Sequence, residues 1–166
     1  EIVTAEDLRS AKVEDVRSGS KRVLEEGEEG VYAGIRAPFD AEPLSDAAQA
    51  RNVELVAGKK VRLRFDDTTQ DKKDRFVAYV FVDGAMVNEH LVKEGLAFVQ
   101  LTNDHRRFAK ELLAAQADAR KNRRGLWRLD VPPKETQYPA DPKYGNFHRS
   151  SCEEVPSIKP ERLVAY

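Results

Sequence analysis

The chain has 166 residues, enough for one compact domain with a short extension and too few for two full-sized domains. Its 28 Lys+Arg and 29 Asp+Glu nearly cancel, so no global field points to nucleic acid or to an acidic partner. No run approaches the roughly 20 apolar residues of a membrane span, and the single cysteine, Cys152, excludes an intramolecular disulfide and a multi-cysteine metal cage.

Three β-type runs come first, Ala11–Val16, Lys21–Glu26 and Val31–Arg36, separated by the turn-forming Ser18-Gly19-Ser20 and Gly27-Glu28-Glu29-Gly30. Ala37-Pro38 ends the third run, because proline cannot donate to a sheet ladder. Apolar residues from Pro43 to Ala57 recur mostly at helical spacing, and Gly58 stops them. Lys60–Phe65 alternates, with Val61, Leu63 and Phe65 on one face and Arg62 and Arg64 on the other; Phe76–Val82 is continuously apolar, as in a strand near a sheet centre. Met86–Glu94 reads as a helix ended by Gly95, and Leu96–Leu101 as a short extended run. Asp104 is expected to cap a long helix reaching about Asn122, with Phe108, Leu112, Leu113, Ala115 and Ala119 on one face. The order β-β-β-α-β-β followed by helices predicts an α+β fold: a five-stranded OB-type barrel with about three helices, whose open face and loops commonly receive nucleic acid.

Gly125-Leu126-Trp127 closes this domain, residues 1–128, and Trp127 is expected to anchor the C-terminal tail. Residues 129–166 hold most of the chain's prolines and no long periodic segment, and read as an irregular extension. Charge is uneven: residues 1–30 carry nine acids and five bases, and residues 104–128 three acids and eight bases. A phosphate-binding surface would draw on Arg106–Arg128 or on isolated arginines elsewhere. The bland reading of Arg120, Lys121, Arg123 and Arg124 is a solvated helix end, where cations suit the macrodipole.

Gly34-Ile35-Arg36-Ala37-Pro38, Val56-Ala57-Gly58-Lys59-Lys60-Val61-Arg62-Leu63 and Asp71-Lys72-Lys73-Asp74-Arg75-Phe76-Val77-Ala78-Tyr79-Val80 stand in an order and spacing that resemble the staphylococcal nuclease (thermonuclease) family. The resemblance continues through Asp83-Gly84-Ala85-Met86-Val87-Asn88-Glu89, Leu91-Val92-Lys93-Glu94-Gly95-Leu96-Ala97, Ala115–Arg120 and Arg124-Gly125-Leu126-Trp127, and covers about residues 11–128. It implies the barrel just described and a calcium-dependent cleavage of DNA and RNA. That chemistry uses carboxylates on the hard cation, a glutamate base for water, and two arginines on the phosphate.

Carried over position by position, the resemblance implies a site mostly lost. Ser20 stands at a metal carboxylate, Val31 at the first phosphate arginine, Arg36 at the second metal carboxylate and Phe39 at the general base. Arg75 alone keeps its catalytic position, with Lys73-Asp74 in place of the usual aromatic-glycine lead-in. Charges about 4 Å apart interact by roughly 4 kcal/mol at an effective dielectric near 20, so a guanidinium at residue 36 turns attraction for calcium into repulsion. The expectation is therefore no metal cofactor and a non-catalytic domain. It would bind single-stranded nucleic acid, a phosphate-bearing ligand or a protein through Arg36, Arg75, Lys72, Lys73 and Lys21, with Tyr79 and Tyr32 as stacking candidates. The bland reading buries both tyrosines and pairs the arginines with Asp40, Asp71 or Asp74. The alternative is an active phosphodiesterase with a rearranged site, drawing on Asp40, Glu42, Asp66 or Asp67.

The tail segment Phe147-His148-Arg149-Ser150-Ser151-Cys152 resembles short Phe-His-x-x-x-Cys segments that follow some bacterial nuclease-like domains. Zinc needs four ligands, and only His148 and Cys152 are local, so packing is the expected role of Cys152. His90 and His105 lack a partner at a catalytic spacing and read as surface or helix-end residues. The start at Glu1 rather than at methionine, with the resemblance, leads to the expectation of a removed leader and a secreted or periplasmic protein.

Overall fold

A computed structural model describes residues 8–129 and the backbone of 139–141, 146–147 and 164–165. Among the described residues before 129 there are eight strands and three helices: β1 (Leu8–Ser18), β2 (Lys21–Leu24), β3 (Glu29–Tyr32), β4 (Ile35–Arg36), α1 (Ser45–Val56), β5 (Lys60–Arg64), β6 (Phe76–Val82), β7 (Ala85–Met86), α2 (Val87–Lys93), β8 (Phe98–Val99) and α3 (Ala109–Lys121). The main sheet runs β3-β2-β1-β5-β6-β7 and closes on itself where β3 pairs in parallel with β6, Gly30 opposite Phe76. This is the five-stranded OB-type barrel with three helices that the element order predicts.

The barrel bends where the alternation in β1 breaks. Ala11, Val13 and Val16 are buried, while Glu14 and Asp15 are two consecutive exposed residues. The register against β2 shifts at that point, from Val13–Leu24 to Asp15–Val23, and again between Val16 and Ser18. An extra residue in one strand sharpens its twist, so one long strand can serve β5 with its first half and β2 with its second. In β5, Val61 and Leu63 face the core and Lys60 and Arg62 face water. Ala78, Tyr79 and Val80 of β6 are all fully buried because both faces of this strand are covered.

Two expected boundaries are corrected. The run Val31–Arg36 is two strands, broken at Gly34, which has φ +72° and whose missing Cβ would stand 2.8 Å from Leu112 Cδ1. After that turn β4 leaves the barrel and pairs with β8, Ile35 opposite Val99 and Arg36 opposite Phe98. The last helix starts at Ala109, not at Asp104, because the preceding chain is held elsewhere. Thr102 bridges His105, and the N–H groups of Arg106 and Arg107 both donate to Asp66 Oδ2 at 2.7 Å.

The three helices are tied together at α2. Arg51 of α1 donates from Nε and Nη2 to both oxygens of Glu94, each at 2.8 Å, and also pairs with Glu54. Gly95 (φ +73°) lets the chain leaving α2 touch the segment after α3: a Cβ there would sit 2.1 Å from the Arg124 carbonyl oxygen. Trp127 packs edge-on against Phe98 at 5.7 Å and carries the Arg120 guanidinium over its ring at 5.1 Å. Its expected role toward the tail lies outside the described residues.

The chain divides into two compact units, Glu1–Arg128 and Leu129–Tyr166. The second is not wholly irregular: β9 (Pro139–Asp141) lies between β10 (Asn146–Phe147) and β11 (Val164–Ala165) in a small antiparallel sheet. His148 and Cys152 lie outside the described residues. No helix among the described residues is long and apolar enough to cross a membrane.

Candidate functional site

The turn joining β1 to β2 is held by α1. Asn52, fully buried, donates to the Ser18 carbonyl at 2.9 Å and accepts from the Tyr32 hydroxyl at 2.6 Å, and Gln49 donates to the Val16 carbonyl. Gly19 lies so close to α1 that a Cβ there would be 2.6 Å from Ala48 Cβ and 2.8 Å from Ala37 Cβ. The turn carrying Ser20 is thereby set beside Ala37, next in sequence to Arg36. Gly19→Ala is expected to cost about 2 kcal/mol by overpacking, read as a lowered denaturant midpoint with an unchanged slope.

Arg36 is fixed by acid and aromatic neighbours. Its Nη2 donates to both oxygens of Glu42, at 2.6 and 2.9 Å, and its guanidinium lies 4.4 Å from the Phe39 ring centre and 5.8 Å from that of Phe98. Glu42 also accepts from the Phe39 N–H at 2.7 Å. That backbone bond, aided by Arg36 and opposed by partial desolvation, holds the Glu42 carboxyl below its usual range.

Arg75 is fixed in a similar way. Its Nε and Nη2 converge on Asp71 Oδ2 at 2.9 and 2.6 Å, while Asp71 Oδ1 accepts from the N–H groups of Lys73 and Arg75. Burial raises the Asp71 carboxyl, but these hydrogen bonds outweigh it and the group stays below the usual range. Asp74 takes the left-handed conformation, φ 57°, which explains why glycine suits this position and why a short polar side chain substitutes for it. Lys72 and Lys73 are exposed on the same loop.

A cleft of about 190 Å³ opens beside Arg75, lined by Arg17, Lys21, Arg22, Glu29, Gly30, Val31 and Arg75. It joins β2, β3 and the start of β6, and four of its lining residues are cationic against one acid, with Arg22 among them buried and Arg75 bound to Asp71. Lys21 and Arg75 are therefore brought together, with Val31 between the strands. Arg36 is not among the lining residues; it lies on the β4–β8 ribbon with Glu42.

Residues 29–129 match the model of the family described as staphylococcal nuclease homologue. The chain belongs to the staphylococcal nuclease family. It is 30% identical over 112 residues to the probable staphylococcal-like nuclease CAN1 of Oryza sativa subsp. japonica, covering 68% of this chain and 32% of that protein. It is 35% identical over 88 residues to endonuclease YncB of Bacillus subtilis (52% and 42% covered) and 33% identical over 72 residues to thermonuclease of Staphylococcus hyicus (43% and 43%). The chain thus spans less than half the length of these relatives.

Other candidate residues of this nuclease-family domain are taken up by packing and loop structure. Tyr79 is corrected as a stacking platform: it is fully buried, with its ring edge-on to Phe108 at 4.7 Å. Burial, reinforced by Asp66, pushes its hydroxyl up to about 12. Tyr32 is likewise buried, and burial raises it to about 12 although Arg22 opposes the rise. Asp66 is committed to the Arg106 and Arg107 N–H groups and Glu42 to Arg36, so neither oxygen set is idle. His105 joins two loop segments through Thr102 Oγ1 and the Thr68 carbonyl. In the basic stretch, Arg124 pairs with Asp118 at 2.5 Å and donates to the Lys93 carbonyl. Among the described residues no three His, Cys, Asp or Glu side chains form a group able to hold a metal ion.

Sequence reasoning missed Arg22. It is 1% exposed, its Nε, Nη1 and Nη2 have no hydrogen-bond partner among the described residues, and its guanidinium lies 4.7 Å from the Tyr32 ring centre. The signal was present in the strand period: residue 22 shares a face with Leu24, and Gly30 stands opposite it. A Cβ at residue 30 would be 3.0 Å from Arg22 Cζ, so the missing side chain of glycine makes room for the guanidinium.

Proposed function

We propose that this domain binds single-stranded nucleic acid, or another ligand presenting a phosphate, through the Lys21–Arg75 cleft, without the calcium-dependent hydrolysis that its family resemblance implies. The observation that carries this reading is the Arg36–Glu42 pair. Where the family pattern has a metal carboxylate, a guanidinium stands, and the nearest acid is bound to it at 2.6 Å. Calcium requires several oxygen ligands, usually anionic; Ser20 offers a neutral hydroxyl and Arg36 a cation, so this donor set does not fit the ion. Phe39, at the position of the base, has no proton acceptor in its side chain and is 54% exposed. Loss of a general base alone removes about 10²–10⁴-fold of rate. What remains is a cationic cleft, which needs no metal to attract a phosphate.

The relatives are named as nucleases, which favours a second reading, a phosphodiesterase with a rearranged site using Arg75 and an acid of the 40–42 loop. One experiment separates the two: cleavage of single-stranded DNA and RNA with calcium and with a chelator, alongside binding of the same oligonucleotides at low salt. The expected result is binding without chelator-sensitive cleavage. Lys21→Ala with Arg75→Ala should weaken binding and flatten the slope of log affinity against log salt by about 1.4, close to 0.7 for each lost contact to a single strand. Chelator-sensitive cleavage abolished by Arg75→Ala would establish the second reading. An absence of both binding and cleavage by the wild type at low salt would overturn both nucleic-acid readings.

A further inference from the structure

The outer face of β1, β5 and β6 carries a cationic track on different strands from the β2–β3 cleft. The register sets Lys12 directly opposite Lys60, and Ser10, Arg62 and Phe81 in the adjacent row across three strands. Lys12, Lys60 and Arg62 are all exposed, and none has an ion-pair or hydrogen-bond partner among the described residues. Like charges directly opposite each other on antiparallel strands repel. Elsewhere on this domain several arginines have an acid bound to them: Arg9 has Glu28, Arg36 has Glu42, Arg51 has Glu94 and Arg75 has Asp71. The three cations of the track are not ion-paired, and the grooves they line hold two acids, Glu25 and Asp83.

Two shallow grooves meet at Lys60. One, of about 450 Å³, is lined by Ser10, Lys60, Arg62, Phe81, Asp83 and Gly84; the other, of about 360 Å³, includes Lys12, Glu25 and Gly58. Asp83 and Glu25 bound the track at its two ends. Lys60 and Arg62 are two residues apart on one strand, about 6.8 Å, and Lys12 lies one strand spacing from Lys60, about 5 Å. The cations thus form a continuous line, and Phe81, partly exposed with its ring edge-on to Phe108 at 5.7 Å, stands opposite Arg62 in the register.

We propose that this face is a second contact for single-stranded nucleic acid, with Lys12, Lys60 and Arg62 holding backbone phosphates and Phe81 providing a ring for a base to stack on. It rests on the nucleic-acid reading above and extends it to a surface outside the cleft. Charge complementarity selects a polyanion, and the aromatic ring in the row selects one that carries flat bases.

The test compares the wild type with Lys12→Gln/Lys60→Gln/Arg62→Gln and with a control of equal charge change on or before α3, Arg106→Gln/Lys110→Gln/Lys121→Gln. The probe is a single-stranded oligonucleotide titrated over a range of salt. The sheet triple variant should keep the wild-type melting temperature or exceed it, since it relieves repulsion. It should lose about tenfold in affinity and flatten the salt slope by about 2, with the control close to wild type. Phe81→Leu should weaken the oligonucleotide and leave poly-glutamate of matched charge unaffected. Wild-type binding with an unchanged slope in the sheet triple variant would overturn this surface and leave the cleft standing. Equal losses in both triples would reduce it to net charge, and poly-glutamate binding as tight as the oligonucleotide would replace nucleic acid by an acidic protein. A wild type that binds no oligonucleotide at low salt would overturn the cleft and the track together, whereas loss in Lys21→Ala/Arg75→Ala alone would support only the cleft.

Discussion

Arg22→Met is expected to make the domain more stable than the wild type by about 1–3 kcal/mol. Burial lowers the Arg22 guanidinium to about 10, and the difference from the ordinary arginine value corresponds to about 3 kcal/mol between its charged and neutral forms. The group is buried and its three nitrogens lack hydrogen-bond partners among the described residues, so little there offsets the desolvation. The Tyr32 ring face contributes an attraction of about 2 kcal/mol at most. Methionine fills much of the same volume without a charge. Because the folded-state value lies below the unfolded one, the penalty is present in full at every pH below about 10 and is relieved only as pH rises through that value. The gain should accordingly be constant between pH 6 and 9, measured by urea unfolding of both proteins. Arg22→Ala should gain less, since it leaves a cavity between Tyr32 and Gly30. A wild type more stable than Arg22→Met would show that the interior compensates this charge.

Asn88→Ala is expected to destabilise by about 3 kcal/mol, enough to lower the melting temperature by several degrees. Asn88 is fully buried on α2, and both ends of its amide serve the barrel. Its Nδ2 donates to the Ala33 carbonyl at 2.8 Å and its Oδ1 accepts from the Val80 N–H at 2.9 Å. It thus seals the ladder where β3 leaves for the Gly34 turn, opposite the centre of β6. Truncation strands one buried donor and one buried acceptor, each expensive to leave unpaired. Asn88→Asp should fare no better, since it loses the donor to Ala33 and buries a charge. Hydrogen exchange at the Val80 amide gives the local reading: it should quicken in Asn88→Ala more than exchange at Val61 on the neighbouring strand.

Fold and site were legible to different degrees, for reasons that individual residues make plain. Val61 and Leu63 declare their strand by alternation, and β6 declares itself by its apolar run, because the sheet period and burial are local properties of sequence. The Gly34 break was not read because Val31–Arg36 has strand composition throughout. What breaks it is the positive φ of Gly34 and the closeness of Leu112, a residue far along the chain. Asp104 looked like a cap for the same kind of reason: the oxygen that receives the Arg106 and Arg107 N–H groups belongs to Asp66, 40 residues earlier. Among site residues, the substitutions at Ser20, Val31, Arg36 and Phe39 were visible in the sequence. The commitment of Arg36 to Glu42, the burial of Tyr79 and the unpartnered Arg22 were not.

By itself the sequence determined the barrel and the family, since both follow from the order, spacing and periodicity of residues along one chain. It also determined which chemical groups stand at the family's positions. Only the tertiary structure decided which charges have acids bound to them: Arg36, Arg75 and Arg51 do, Lys12, Lys60 and Arg62 do not among the described residues, and Arg22 is buried. The reason is physical. Strand and helix periods act over a few residues, whereas the environment of a charge depends on side chains within about a Debye length, roughly 8 Å, wherever in the chain they originate.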